Sequence, residues 1–299
     1  MNKVTIFNEN VKIGGYILPT DFAIIDRKLL NDLYNLDFYE GYKRVYELIS
    51  GRLLTESSFN NLQGLDMPLS VVTFDNNISS LELFDGKNAN YNDYILDSSD
   101  LFGKICSVVS FLALAYVDLE VSNIIKRGES INIACPSEDF ILPLSIFIAK
   151  KCGLPIETSI YGSLKNIDII EKYTYFSKIT EDEENELISL FFDDYGYLFD
   201  PLSARGFIAQ DNFYEDYEDG KHTLILSLVS PYKYSRRIYK VLTGKNELSV
   251  EKAIKGVYNL TAMEIPNGML EGEISPFFAV SDSELEKEVF NLLKNANKV

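Results

Sequence analysis

The stretch from residue 130 to residue 161 constrains the fold more than any other part of the chain. Residues 130–135 (SINIAC) form a short, mostly apolar run of strand length. A turn at Pro136 follows, and residues 141–152 (ILPLSIFIAKKC) have the length and apolar content of a buried helix, with Gly153 placed to stop it. Leu154-Pro155 then leads into a second strand over residues 156–161. Strand, crossover helix and returning strand make a βαβ unit, the element from which parallel sheets are built.

The alternation continues downstream. Thr180 and Glu183 have the spacing of a capping box ahead of a helix running through Phe192. Residues 223–227 (TLILS) read as a buried strand, and Pro231 opens a helix through about Leu242. Residues 282–295 read as a closing amphipathic helix. Strands alternating with helices predict an α/β protein with a parallel sheet flanked by helices.

The first sixty residues differ in character. Phe38, Tyr42, Val45, Tyr46, Ile49 and Leu53 recur at three- and four-residue steps, one apolar face of a helix. Residues 1–62 are therefore expected to form a small helical cap, and residues 63–299 the α/β domain.

Composition narrows the class of partner. Of 299 residues, 28 are basic and 45 acidic, a formal charge of -17 that repels nucleic acid and anionic membranes alike. The N-terminus, MNKVTIFNEN, lacks a basic region followed by a long apolar run, and the apolar run at 108–117 is broken by Ser110 and too short to span a bilayer. Cys106, Cys135 and Cys152 are odd in number, lack metal-ligand spacing and lie in or beside apolar stretches, as reduced core cysteines do. A cytoplasmic protein is expected.

Five segments, in order, resemble those of threonine synthase, a pyridoxal-phosphate lyase of the tryptophan-synthase β-subunit fold (fold type II). Gly14-Gly15-Tyr16-Ile17-Leu18-Pro19 is similar to the family's early Gly-Gly-aromatic signature. Glu82-Leu83-Phe84-Asp85-Gly86 followed by Tyr91-Asn92-Asp93-Tyr94 resembles the family's Glu-Leu-Phe-His-Gly and lysine-bearing segment. Pro136-Ser137-Glu138-Asp139-Phe140 resembles its phosphate loop after the Val-Pro strand. Asp200-Pro201-Leu202-Ser203-Ala204 and Leu226-Ser227-Leu228-Val229-Ser230-Pro231-Tyr232-Lys233-Tyr234 follow its last two motifs. Each fragment is short and recurs by chance, and the shared order is what carries the resemblance.

The resemblance implies a fold and also a set of losses. The family's Schiff-base lysine falls on Asn92, whose amide nitrogen is neither basic nor nucleophilic enough to form an imine. Lys87 lies five residues earlier, too far to stand in for a group whose position is critical. The glycine-rich phosphate cradle is replaced by Ser137, Glu138 and Asp139. One carboxylate about 6 Å from a phosphate charge costs roughly 3 kcal/mol at an effective dielectric near 20. Leu228 stands where the family has a hydroxyl partner for the pyridine nitrogen, and Leu202 where it has a histidine. The mobile small lobe is also expected to be deleted, because only about four residues, 96–99, separate the segments that flank it.

Vestigial cofactor-site positions are thus Asp85, Gly86, Asn92, Ser137, Glu138, Asp139 and Leu228, with no catalytic residue and no metal. His222, the single histidine, reads as a surface-turn residue, since no nucleophile motif accompanies it. The acidic runs 181–184 and 215–219 lack calcium-loop spacing and read as solvated surface. The 19 tyrosines and 19 phenylalanines lack the basic interleaving of a base-stacking platform, so they are expected in the core or on an adhesive face.

The leading expectation is a non-catalytic threonine synthase-like protein without cofactor, acting as a homo-oligomer or on a protein partner through the face the missing lobe uncovers. Two alternatives stand beside it. One is a lyase that retains pyridoxal phosphate and acts on an O-phospho amino acid. The other is an amino-acid-binding sensor using the cleft around Asp85, Gly86 and residues 137–140.

Overall fold

The computed structural model describes residues 10–13, 16–19, 22–54, 70–74, 77–84, 101–137, 141–164, 174–227, 229–247, 249–267 and 269–270. Eight strands occur among them: β1 (Asn10–Ile13), β2 (Tyr16–Pro19), β3 (Ser70–Thr73), β4 (Ile78–Glu82), β5 (Ile131–Pro136), β6 (Ile156–Ser163), β7 (Thr174–Lys178) and β8 (Thr223–Ser227). The α-helices are α1 (Arg27–Leu33), α2 (Phe38–Ser50), α3 (Leu101–Val121), α4 (Ile141–Lys151), α5 (Glu181–Tyr195), α6 (Pro201–Tyr217), α7 (Ser235–Thr243) and α8 (Val250–Thr261). β1 and β2 form an antiparallel pair, and the other six strands form one sheet in the order β3-β4-β8-β5-β6-β7. β3 runs antiparallel to β4, and every other neighbouring pair is parallel. The expected α/β architecture is present, and the βαβ unit β5-α4-β6 lies at its centre.

Alternation along the strands divides the interior into two cores. Ile131, Ile133 and Cys135 of β5, with Leu224 and Leu226 of β8, face a core that also holds α1 to α4. Ala134 and Ile225, one residue out of phase, face a second core made with α5 to α8. A strand buried on both faces is apolar where it packs on both cores, as Leu224, Ile225 and Leu226 of β8 are between the polar ends Thr223 and Ser227.

Local signals set the ends of the helices. Gly153 takes φ 96 after α4, its N–H bonds the Lys150 carbonyl and the Leu154 N–H bonds that of Ala149. Thr180 and Glu183 form the expected capping box, and α5 continues to Tyr195. Pro231 opens a 3-10 turn, Pro231–Tyr234, before α7 begins at Ser235. The closing helix expected over 282–295 lies outside the described residues.

Four expectations are corrected by the packing. The apolar run 108–117 sits inside α3, and this 21-residue helix is long and apolar enough to cross a membrane. Of its most apolar window, 89% is buried inside the protein, so it is the central helix of the first core. Leu53 is 84% exposed, because α2 ends at Ser50 where Gly51 turns to φ 64. His222 is buried, with its Nε2 3.0 Å from Ser79 Oγ on the neighbouring strand β4. Glu184, the last acid of the 181–184 run, is buried as well, since the helix turns it toward α6 and α7.

The N-terminal helices share the first core. Tyr42, Val45, Tyr46 and Ile49 of α2 are buried there, and Tyr42 donates to Ser107 Oγ on α3 at 2.8 Å. On α3, Glu120 accepts Arg27 in a fork of 2.7 and 2.9 Å, together with Tyr34 and the Gly128 N–H. Burial alone raises the Glu120 pKa, but these donors outweigh it and bring the pKa down to about 2. The expected boundary between residues 62 and 63 falls outside the described residues.

Candidate functional site at the carboxyl edge of the sheet

From β5 the chain steps outward to β6 and β7, then returns to place β8 on the other side of β5. The strand order therefore reverses between β5 and β8, and open α/β sheets bind ligands in the crevice beyond such a reversal. The residues at this edge are Pro136 closing β5 and Ser137 after it, Gly162 and Ser163 at the end of β6, Ser227 closing β8 and Glu82 closing β4.

Helix α6 reaches this edge because two glycines let it lie directly on the sheet. A Cβ at Gly162 would meet the Arg205 carbonyl oxygen at 2.3 Å, and one at Gly206 would meet Cys135 Cα at 3.3 Å. Asp200 caps α6, its Oδ1 accepting the N–H groups of Leu202 at 2.9 Å and Ser203 at 3.3 Å. Ser227 Oγ donates to Ser203 Oγ at 3.0 Å, and Ser203 Oγ donates onward to Asp200 Oδ2. Burial pushes the Asp200 carboxyl up to about 6, against the opposing pull of Ser203, the two amides and Arg205. Glu82 is likewise raised by burial, opposed by hydrogen bonds from Ser70 at 2.8 Å and Tyr197 at 2.9 Å.

Ser137 is the one expected site position among the described residues. It is buried, and its N–H donates to the Gly162 carbonyl at 3.0 Å while its hydroxyl contacts the same oxygen at 3.3 Å. Asp85, Gly86, Asn92, Glu138, Asp139 and Leu228 lie outside the described residues, as does Lys87. Leu202 is half-buried and packs against the first core.

This geometry limits the chemistry. A phosphate cradle offers bare N–H groups, and here the first amide after β5 is already bonded to β6. The hydroxyls of Ser227 and Ser203 are joined to each other and to Asp200. His222 precedes β8 and Ser227 ends it, about 16 Å apart along an extended strand, which rules out a histidine-activated serine here. Among the described residues no three acidic, histidine or cysteine side chains gather as a metal site. Cys106, Cys135 and Cys152 are buried thiols, and burial pushes Cys152 up to about 12, far from a reactive thiolate.

The sequence reading missed one buried cluster nearby. Glu184 of α5 pairs with Arg205 of α6 and, at 2.6 Å, with Arg237 of α7, which also donates to Asn185 at 2.9 Å. Nothing in the sequence marks Glu184, Arg205 or Arg237 as buried, whereas the neighbouring cap residue Asp200 stands directly before Pro201 at a helix start.

The sheet order, the helices on both faces and the position of the reversal define the class: a layered α/β chain with a six-stranded, mostly parallel sheet flanked by helices. Three solved structures to which it is similar are threonine synthases. Against the yeast enzyme the TM-score is 0.66 at 13% identity, covering 98% of this chain and 94% of that one. Against the Escherichia coli enzyme it is 0.58 at 11%, covering 94% and 93%. Against the pyridoxal-phosphate-bound enzyme from Brucella melitensis it is 0.58 at 11%, covering 96% and 94%. At such identities the likeness shows the fold alone. No protein-family profile matches the chain, and no curated protein sequence does. Each structural alignment runs over more than nine-tenths of the solved chain and so does not mark out a missing lobe; that expectation rests on residues 96–99, outside the described residues.

Proposed function

We propose that this protein keeps a threonine synthase-like scaffold without its reaction, and that it works in the cytoplasm by binding, as a homo-oligomer or on a protein partner. The observation that carries this reading is Asn92 at the position where the resemblance places the imine-forming lysine. An amide there cannot make the bond through which pyridoxal phosphate acts. Glu138 and Asp139 in place of a glycine-rich loop, and Leu228 in place of a hydroxyl, support the same conclusion. The bonded state of the Ser137 amide agrees with it. Loss of the small lobe, read from the short connection at 96–99, would remove the closure that excludes water from a reacting substrate.

A sensor of amino acids is the second reading, favoured by the two carboxylates beside Ser137, which suit an amine-bearing ligand over a phosphorylated one.

The reaction itself is the test. With excess pyridoxal phosphate and an O-phospho amino acid substrate, phosphate release is expected to stay at the protein-free blank, while an active threonine synthase run in parallel releases it. Release that scales with the concentration of this protein would establish the lyase reading instead.

A further inference from the structure

A second cleft, of about 410 Å³, lies at the opposite edge of the sheet from the candidate site, by the amino ends of β6, β7 and β8. Phe213 and Tyr217, four residues apart, share one face of α6 there. Both pack against Tyr175 of β7, and the three ring centroids are 5.1, 5.2 and 5.9 Å apart. Tyr217 is nevertheless 64% exposed. After α6 the chain turns left-handed at Glu218, φ 49, and so brings Asp219 and Lys221 to the same cleft, which Glu157 of β6 also lines. Two carboxylates against one ammonium leave the lining net negative. Asp216, exposed on α6, adds a third carboxylate beside it, accepting the Tyr175 hydroxyl at 2.8 Å. The two lining acids already hold donors. Glu157 takes Ser130 Oγ at 3.0 Å and lies 3.7 Å from the Lys221 ammonium, while Asp219 takes Asn132 Nδ2 at 3.1 Å and the Lys221 N–H at 3.0 Å. The cleft thus offers ring faces and negative charge.

We infer that this cleft binds a small quaternary ammonium ion, its methyl groups against Tyr217 and Tyr175 and its charge drawn by Glu157 and Asp219. A cation over a tyrosine face is held by the ring quadrupole, and that attraction needs no hydrogen bond. A primary ammonium has three donors and a tightly bound water shell, so it would have to share carboxylate oxygens with Ser130, Asn132 and Lys221. A quaternary one has no N–H to satisfy. The volume lies low in the range of ligand pockets, about 300–1,000 Å³, which suits a free ion rather than a large molecule that carries one. The charge of -17 that repels anions draws such a cation in.

The test titrates the full chain calorimetrically, at fixed low ionic strength, with choline and two controls. One control is ethanolamine, which carries a primary ammonium, and the other is the neutral alcohol of the same shape as choline, in which carbon replaces the charged nitrogen. Saturable one-to-one binding is expected for choline, roughly tenfold tighter than for either control. Tyr217→Leu, which keeps an apolar side chain but removes the ring, is expected to weaken choline roughly fivefold or more, and Tyr217→Phe, which keeps the ring, to leave it unchanged. Glu157→Gln is expected to weaken choline without changing the binding of the alcohol. Both side chains are exposed, so all three variants should melt like the wild type. No saturable binding of choline, an affinity for ethanolamine or the alcohol equal to that for choline, or an unchanged affinity in Tyr217→Leu would overturn the inference.

Discussion

Replacing Gly162 by alanine is expected to lower the thermal midpoint by roughly 6–12 °C, from about 3 kcal/mol of overpacking. The added methyl would lie 2.3 Å from the Arg205 carbonyl oxygen and 2.8 Å from its carbon. Both are backbone atoms of α6, so no side chain can swing aside to make room. The helix would have to lift off β6, and with it Asp200 and Ser203 at the carboxyl edge. Gly220→Ala is the control, because nothing lies within 4 Å of its added carbon. A Gly162→Ala protein that melts with the wild type would mean that α6 does not rest on β6 as described.

Removing the carboxylate of Glu184 is expected to cost about 3–5 kcal/mol, the penalty for leaving a buried charge without its partner. The Arg205 side chain is only 8% exposed, so water cannot replace what Glu184→Ala takes away. Arg237 would lose a 2.6 Å contact at the same time, loosening α7 from α5. Glu181→Ala, three residues earlier on the exposed side of the same helix, is expected to stay within about 0.5 kcal/mol of wild type. Urea denaturation midpoints measure both variants, and equal midpoints for the two would refute the role given to Glu184.

Much of the framework could be read from the sequence because its signals are local. The β5-α4-β6 unit, the Gly153 stop and the Thr180 capping box each depend on residues a few positions apart. What escaped the reading depends on partners far along the chain. His222 is a core residue because Ser79, 143 positions away, faces it across two paired strands. Glu184 is buried because Arg205 and Arg237 arrive from two later helices. Leu53 continues the α2 periodicity on paper, yet periodicity says nothing of the left-handed turn at Gly51 that ends the helix first. The strands β3 and β7 are four and five residues long with mixed polarity, too little signal to separate from loop. Of the cofactor-site positions expected from the sequence, Ser137 alone is among the described residues, and its amide is turned to β6. Ser227, Ser203 and Asp200 beside it lie in two of the segments that carry the resemblance, but their hydrogen-bonded network joins positions 24 residues apart and had no local signal.

A scaffold that has lost its reaction, as proposed, has no lysine that forms an imine with pyridoxal phosphate at the carboxyl edge of the sheet. The most direct measurement is to mix the purified protein with pyridoxal phosphate, record its visible absorbance, reduce with borohydride and map any modified lysine by mass spectrometry. No shifted absorbance band and no specific adduct are expected. A single stoichiometric adduct on one lysine, with a shifted band before reduction, would contradict it and identify the lysine that replaces the one lost at Asn92.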